Sequence, residues 1–486
     1  MVALMMTRKN TDKSYQYEYS VGESVHIKEL NLICNIEAEL GSGTQGKVYS
    51  LITPNNSSLA LKWYFPSMAT KEQYGILKSL IDIKSPSEKF LWPLALVENS
   101  EKDGFGYIMP LKDKRFKSFS LWLSRKIDPS FKVLLTACFE ISQSFHLLHS
   151  KGFCYQDLSI NNLYFDPHSG DIRIGDTDNI IINGSEKGNV IGTPKFMAPE
   201  IITGNQLPNT QTDLYSLAVL LFYILFLNHP LEGKAESSIK SLDIPSMTKL
   251  YGTNPVFIFD PDDSSNFPDP IYHKNALIYW NIYPEFFKKL FTKSFTKGIK
   301  DPQYGRVRET EWQIALLELR DSMYYCRKCG SENFLDPSFR ETLGLSKSST
   351  NLVNQDNLSS TILQNLNCFK NIDDVTTCWN PTCRNINHKI MYILIDERKM
   401  IVLNHDTRLF LHHVDFSLGY DFTRIVAQIT KHPHNDNLWG LKNLSDTTWK
   451  VETGNSSPIE VLPNQSLLLT PDITINFGKT KGTIYY

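Results

Sequence analysis

A chain of 486 residues is too long for one hydrophobic core and implies two to four domains. Hydrophobic residues at 41% and charged residues at 21% form an ordinary globular mixture, which excludes a fibrous or wholly disordered chain. The formal net charge of −2 supplies no basic field for a phosphate backbone, so nucleic acid is excluded as the expected partner.

In chain order, residues 1–30 are polar and lack periodicity, and a mobile arm is expected there. Their short apolar stretch precedes Arg8 and Lys9, which is not the order of a signal peptide. From Leu32 to Ile52 the pattern is strand, Gly-rich turn, strand. Ala60 to Phe65, Phe90 to Val97 and Phe105 to Met109 read as further strands, and Thr70 to Ile83 as a helix. After Ser118 long helical patterns take over, notably Phe131 to His149, Thr212 to Leu227 and Tyr283 to Phe295. The longest apolar run, Leu217 to Leu227, is short of the ~20 residues a spanning helix needs. A cytoplasmic protein with no membrane partner is therefore expected. Residues 343–362 are rich in Ser, Asn, Thr and Gln and read as a disordered insertion. From Lys389 onward short strands alternate with Gly, Pro and Asn turns, an all-β pattern.

Eight cysteines fall into two classes. Cys34, Cys138 and Cys154 stand among apolar neighbours and read as buried thiols. Cys326-x-x-Cys329 and Cys378-x4-Cys383 are two close pairs, the pattern of a tetrahedral structural zinc site with no open position. Closing the 48-residue gap costs ~3–4 kcal/mol, and structural zinc supplies on the order of 10 kcal/mol, so the insertion is no obstacle. Cys368 is a spare thiol or a competing fourth ligand, and His388 a surface residue.

Gly41-Ser42-Gly43-Thr44-Gln45-Gly46-Lys47-Val48 is a glycine-rich turn whose bare backbone could approach phosphates, with Val48 beside a base. Lys62 follows in Leu59-Ala60-Leu61-Lys62. Tyr155-Gln156-Asp157-Leu158-Ser159-Ile160-Asn161-Asn162 comes next, then Asp176 in Ile174-Gly-Asp-Thr-Asp178. Gly192-Thr-Pro-Lys-Phe-Met-Ala198-Pro199-Glu200 and Thr212-Asp213 complete the series. Six elements in this order resemble the eukaryotic-type serine/threonine protein kinases. The resemblance implies an α+β, two-lobed fold, with a β-rich lobe over 31–110 and a helical lobe over 111–322. A small zinc ribbon over 323–390 and an all-β sandwich over 391–486 would follow.

The resemblance carries roles with it. Lys62, Asp157, Asn162 and Asp176 would be catalytic, with Asn162 and Asp176 holding Mg²⁺. ATP would be cradled by Gly41, Ser42, Gly43, Gly46, Val48, Ala60 and Met109, with Glu72 as partner of Lys62. Asp213 would brace the catalytic loop, and Glu200 would pair with Arg306. Departures stand out: Tyr155 and Gln156 replace His-Arg, so activity independent of an activation-loop phosphate is expected. Ser159 replaces the usual lysine, and Thr177-Asp178 replace Phe-Gly.

The last strands, around Trp439 to Trp449 and Ile473 to Gly478, resemble a forkhead-associated domain, with His405, Arg408 and Asn443 as loose stand-ins for its phosphothreonine-reading set. A sandwich serving docking or structure is the other reading. Phe90-Leu-Trp-Pro-Leu, Pro255 to Asp262 and Leu403 to Phe410 add a resemblance to bacterial kinases encoded with a metal-dependent protein phosphatase and a TerY-like von Willebrand A protein. A stress-signalling phosphorylation switch acting on protein substrates is implied. A nucleotide-binding pseudokinase scaffold is the alternative.

Overall fold

The computed structural model describes residues 18–99, 101–102, 104–185, 192–336, 377–432, 434–453 and 457–486. The insertion expected at 343–362, Cys368 and the first 17 residues of the expected arm lie outside them. The chain forms two compact units. The first runs up to Pro129 and adds Thr136–Ala276 and Phe291–Gln313; the second takes Ser130–Leu135, Leu277–Leu290 and everything from Ile314.

The first unit begins with a six-stranded antiparallel sheet, in the order β1-β2-β3-β4-β6-β5. Its strands are β1 (Ser24–Ile27), β2 (Leu32–Ser42), β3 (Gly46–Ile52), β4 (Ser58–Tyr64), β5 (Ala95–Glu98) and β6 (Phe105–Pro110). Strand β1 lies within the stretch expected as a mobile arm. Its two apolar residues, Val25 and Ile27, alternate with polar ones and are buried with Cys34 and Ile36. Four residues are too few to register as a period against their polar flanks, yet pairing along the length of Leu32–Asn35 satisfies the backbone. The strand expected over 90–97 is shortened to β5, because Pro93 offers no N–H to a ladder. Phe90 instead bridges to Ile174, and the Leu91 N–H donates to the Ile174 carbonyl at 2.8 Å.

Helix α1 (Lys71–Ile83) starts where expected: the Thr70 hydroxyl accepts from the Gln73 N–H at 3.1 Å, a helix N-cap. Leu77 and Leu80 bury its inner face. The helical portion follows with α2 (Phe119–Leu123), α3 (Phe131–Ser150), α4 (Pro199–Ile202) and α5 (Thr210–Phe226). Helix α5 opens on an Asn209–Thr212 capping box and is buried almost all round, which explains its nearly continuous apolar sequence.

In the second unit, strands over Met323–Tyr325 and Glu332–Phe334 form a hairpin beside the cysteines. Two sheets then share one core. The six-stranded sheet carries Ile393, Ile401, Trp449, Val451, Ile475 and Ile484, and the four-stranded sheet Leu409, Ala427, Ile429 and Leu441. The strand Tyr392–Ile395 is buried on both faces. Ile393 and Ile395 enter that core, and Tyr392 and Leu394 pack with Tyr324, so its four apolar residues run unbroken.

Candidate functional site

The glycine-rich turn joins β2 to β3, and the Gly43 N–H donates to the Gly46 carbonyl at 2.9 Å. Gly46 admits no side chain: a Cβ would stand 2.1 Å from the Trp63 carbonyl oxygen. A Cβ at Gly41 would meet nothing within 4 Å and one at Gly43 only the Gly46 carbonyl oxygen at 4.0 Å, and Gly41, Ser42 and Gly43 are exposed. Register sets Val48 opposite Lys62 and Ala60 opposite Met109, and Val48, Ala60 and Met109 belong to one apolar cluster. The lining expected for a base is thereby gathered.

Lys62 is buried on β4. Its ammonium donates to Gln45 Oε1 at 2.8 Å and to Asp178 Oδ2 at 2.7 Å, and lies 3.5 Å from Asp176 Oδ1. Burial pulls its pKa down, and the two carboxylates more than restore it, so the amine is held charged. Glu72 is not among these partners. It lies exposed on α1, and the residue that α1 sends inward is its neighbour, Gln73. This corrects the expected Lys62–Glu72 pair. A capped helix fixes which residue of its first turn faces the sheet, and here Gln73 takes that place.

Asp176 adopts a left-handed backbone with φ of 44°, and its side chain is 49% exposed. Two residues on, Asp178 is fully buried. It accepts from Lys62, from the Tyr64 hydroxyl, and from the Tyr107 hydroxyl at 3.1 Å. Burial pushes its carboxyl up, but Lys62 and the two phenols overcome this and hold it below the usual carboxylate range. The Thr177 hydroxyl ties the same turn to the Leu91 carbonyl at 2.8 Å.

Across the cleft, Asn162 donates from Nδ2 to the Asp157 carbonyl at 3.0 Å, leaving its Oδ1 for a cation. The Gly175 N–H donates to the Asn162 carbonyl at 2.8 Å, which couples this loop to the turn carrying Asp176. Asp157 Oδ1 accepts from the Thr193 hydroxyl at 2.8 Å. The loop is braced from below. Asp213 Oδ2 on α5 accepts from the Tyr155 N–H at 2.6 Å and lies 3.0 Å from His149 Nε2, and His149 Nδ1 meets Glu309. Burial pulls the His149 pKa down, but the two carboxylates raise it to about 9. Arg306 donates from Nη2 to both Glu200 carboxylate oxygens, at 2.6 and 2.8 Å, and from Nη1 to the Gln211 carbonyl at 2.6 Å. The structure thus brings Lys62, Asp157, Asn162 and Asp176 to one cleft.

Sequence reasoning missed four groups there. Asp178 was legible only as a departure from Phe-Gly, and Tyr64 and Tyr107 as ordinary strand aromatics. Gln45 carried no signal beyond its place in the glycine turn.

In the second unit, the sulfurs of Cys326, Cys329, Cys378 and Cys383 lie within 4.8 Å of one another, with 3.7 Å between Cys326 and Cys383 and 3.6 Å between Cys329 and Cys378. Four thiolates about a metal at ~2.3 Å would stand roughly 3.8 Å apart, so the set fits a tetrahedral ion. Gly330, at φ of 74°, closes the first pair's turn by donating to the Cys326 carbonyl at 2.8 Å. Asn443, by contrast, is no ligand reader. It is buried, and its side chain is spent on the carbonyls of Thr447 and Val461 and on Ser445. His405 and Arg408 are exposed.

Known proteins are similar to part of this chain in sequence. A protein kinase C delta type homolog of Drosophila melanogaster, described as putative, is 35% identical over 103 residues, 21% of this chain and 15% of its own length. NUAK family SNF1-like kinase 2 of Rattus norvegicus is 28% identical over 102 residues, 21% of this chain and 16% of its own. CBL-interacting serine/threonine-protein kinase 15 of Arabidopsis thaliana is 34% identical over 82 residues, 16% and 19% of the two chains. The chain therefore spans less than a fifth of the length of each of these relatives. Residues 34–297, more than half of the chain, match the family described as the protein kinase domain, and the chain belongs to that family.

Proposed function

We propose that the chain transfers the γ-phosphoryl group of ATP to serine or threonine hydroxyls of protein substrates, itself included. The observation that carries this reading is the convergence of Lys62, Asp157, Asn162 and Asp176 on one cleft. Asp157 receives the hydroxyl proton as the substrate oxygen bonds to phosphorus and the bond to the β-phosphate oxygen breaks. Lys62 orients the α- and β-phosphates, and Val48, Ala60 and Met109 exclude water around the base. Asn162 Oδ1 and half-exposed Asp176 suit a hard cation, and bound Mg²⁺ would neutralise charge on the β- and γ-phosphates. The Thr193 hydroxyl fixes the Asp157 carboxylate where a substrate hydroxyl would approach.

The cysteine set supports a structural zinc, and the two sheets support a forkhead-associated-like sandwich used for docking. The resemblance to TerY-associated kinases supports a bacterial, cytoplasmic stress switch partnered by a metal-dependent phosphatase and a von Willebrand A protein. Among the described residues, no helix is long and apolar enough to cross a membrane.

A pseudokinase scaffold organising those two partners is the second reading. It is favoured by Ser159 in place of a lysine and by Gln45 on the Lys62 ammonium. Transfer of radiolabel from MgATP to the protein and to casein-like acceptors decides between them. Label lost in Asp157→Asn supports the enzyme; no label from a wild type that binds MgATP supports the scaffold.

A further inference from the structure

Protein kinases generally pair the strand lysine with a glutamate on the small-lobe helix, so that movement of the helix can switch the enzyme. In this chain that helix is α1. Its Glu72 lies exposed, and the inward position belongs to Gln73, an amide. The lysine nevertheless has a carboxylate 2.7 Å away. It comes from Asp178, on the turn that also presents Asp176.

We propose that Asp178 is the positioning residue for Lys62, replacing the helix glutamate, and that the cation-binding carboxylate and the lysine's partner therefore move as one segment. This inference rests on the kinase reading above. Three features make the pair a built site. Asp178 is fully buried, so its charge is tolerated only with partners. Its two oxygens accept from three donors on two strands: Lys62 and Tyr64 on β4, and Tyr107 on β6. Gln73 then closes the cage, donating from Nε2 to the Tyr64 hydroxyl at 3.2 Å and to the Asp178 carbonyl at 3.0 Å. Helix α1 reaches the Asp178 turn through an amide. The Thr177 hydroxyl pins that turn to Leu91, and Lys62, Tyr64 and Tyr107 hold its carboxylate, so the segment has supports besides α1.

The consequence is regulatory as well as catalytic. With Asp176 and Asp178 two residues apart, Lys62 stays aligned whenever Asp176 is in place, and an outward shift of α1 leaves the ion pair intact. Activity without an activation-loop phosphate, expected from Gln156, is consistent with this.

The test compares Asp178→Asn, Glu72→Gln and Lys62→Met in the full-length chain, measuring MgATP binding by calorimetry and phosphotransfer separately. Asp178→Asn is expected to lower kcat about 100-fold, with the MgATP dissociation constant raised about three- to tenfold. Glu72→Gln is expected to stay within about twofold of wild type. In the Lys62→Met background, Asp178→Asn should cost nothing further, because its effect passes through the lysine. Gln73→Glu should restore at least about tenfold to Asp178→Asn by returning a carboxylate to the cage from α1. A merely structural Asp178 would give neither the Lys62 dependence nor the rescue. If Asp178→Asn fails to fold, Tyr107→Phe removes one support from the carboxylate, and a kcat loss of about threefold or more is expected. Asp178→Asn within threefold of wild type, or Glu72→Gln losing as much as Asp178→Asn, overturns the proposal. A wild type that binds MgATP without transferring phosphate sinks the kinase reading alone, and the binding arm then decides for Asp178: an unchanged affinity in Asp178→Asn would end its role. A wild type that does neither overturns both.

Discussion

The mouth of the cleft and the cage behind it use the same chemistry to opposite ends. At the mouth, Asp157, Asn162 and Asp176 keep oxygens in reserve: Asp176 is half exposed, and Asn162 spends only its N–H. In the cage, every oxygen of Asp178 is committed to Lys62, Tyr64 or Tyr107. A carboxylate with spare lone pairs beside solvent can take a cation or a proton. One that is buried and bonded at both oxygens holds its neighbours instead. The contrast identifies roles more sharply than residue type, since the two aspartates are two positions apart on one turn.

The cysteine cluster, proposed above to hold a structural zinc, would be the extreme closed site, and breaking it should give the largest effect. Structural zinc contributes on the order of 10 kcal/mol in small modules. Removing metal with a chelator, or replacing Cys378 by Ser, is expected to unfold the region around Cys326–Cys329, read as loss of one zinc per chain and an early thermal transition. An unchanged melting profile after verified metal removal would contradict this.

The brace beneath the cleft ranks next. The His149 pKa, raised to about 9 by Asp213 and Glu309, stands above its unfolded value of about 6.5. Its stabilising contribution, about 3 kcal/mol, is therefore fully present below pH ~6.5 and is lost as pH rises through about 9. Chemical denaturation of wild type and His149→Gln should show a stability gap that shrinks between pH 6 and pH 10. A gap that widens with pH would break the assignment.

Gln45 sharpens the comparison at its boundary, because it holds one Lys62 N–H that a phosphate would need. Gln45→Ala is expected to lower the KM for ATP by about three- to fivefold, the net worth of one ordinary hydrogen bond. A raised KM would instead make Gln45 a phosphate ligand.

Much of the mouth was legible because phosphoryl transfer demands fixed residue types at fixed spacing. Asp157 and Asn162 are five positions apart on one loop, and Asp213 and the Glu200–Arg306 pair follow from the same pattern. The cage was not legible, because it is assembled across distant segments. Tyr64, Gln73, Tyr107 and Asp178 meet only once the sheet, α1 and the Asp176 turn are packed, and no local period marks them. The error at Glu72 has the same origin: sequence supplies an acidic residue in the first turn of α1, but the Thr70 cap and the buried Leu77 and Leu80 choose which side chain faces inward. Strand β1 was hidden for a different reason, its four residues being too short for alternation to register.

The most direct test of the two roles is a magnesium titration of phosphotransfer in wild type, Asp176→Asn and Asp178→Asn at saturating ATP. Asp176→Asn should lose activity at every magnesium concentration or demand far more metal. Asp178→Asn should lower the plateau and leave the half-saturating magnesium unchanged. A shift of that midpoint in Asp178→Asn would make the buried aspartate a metal ligand and contradict the division between mouth and cage.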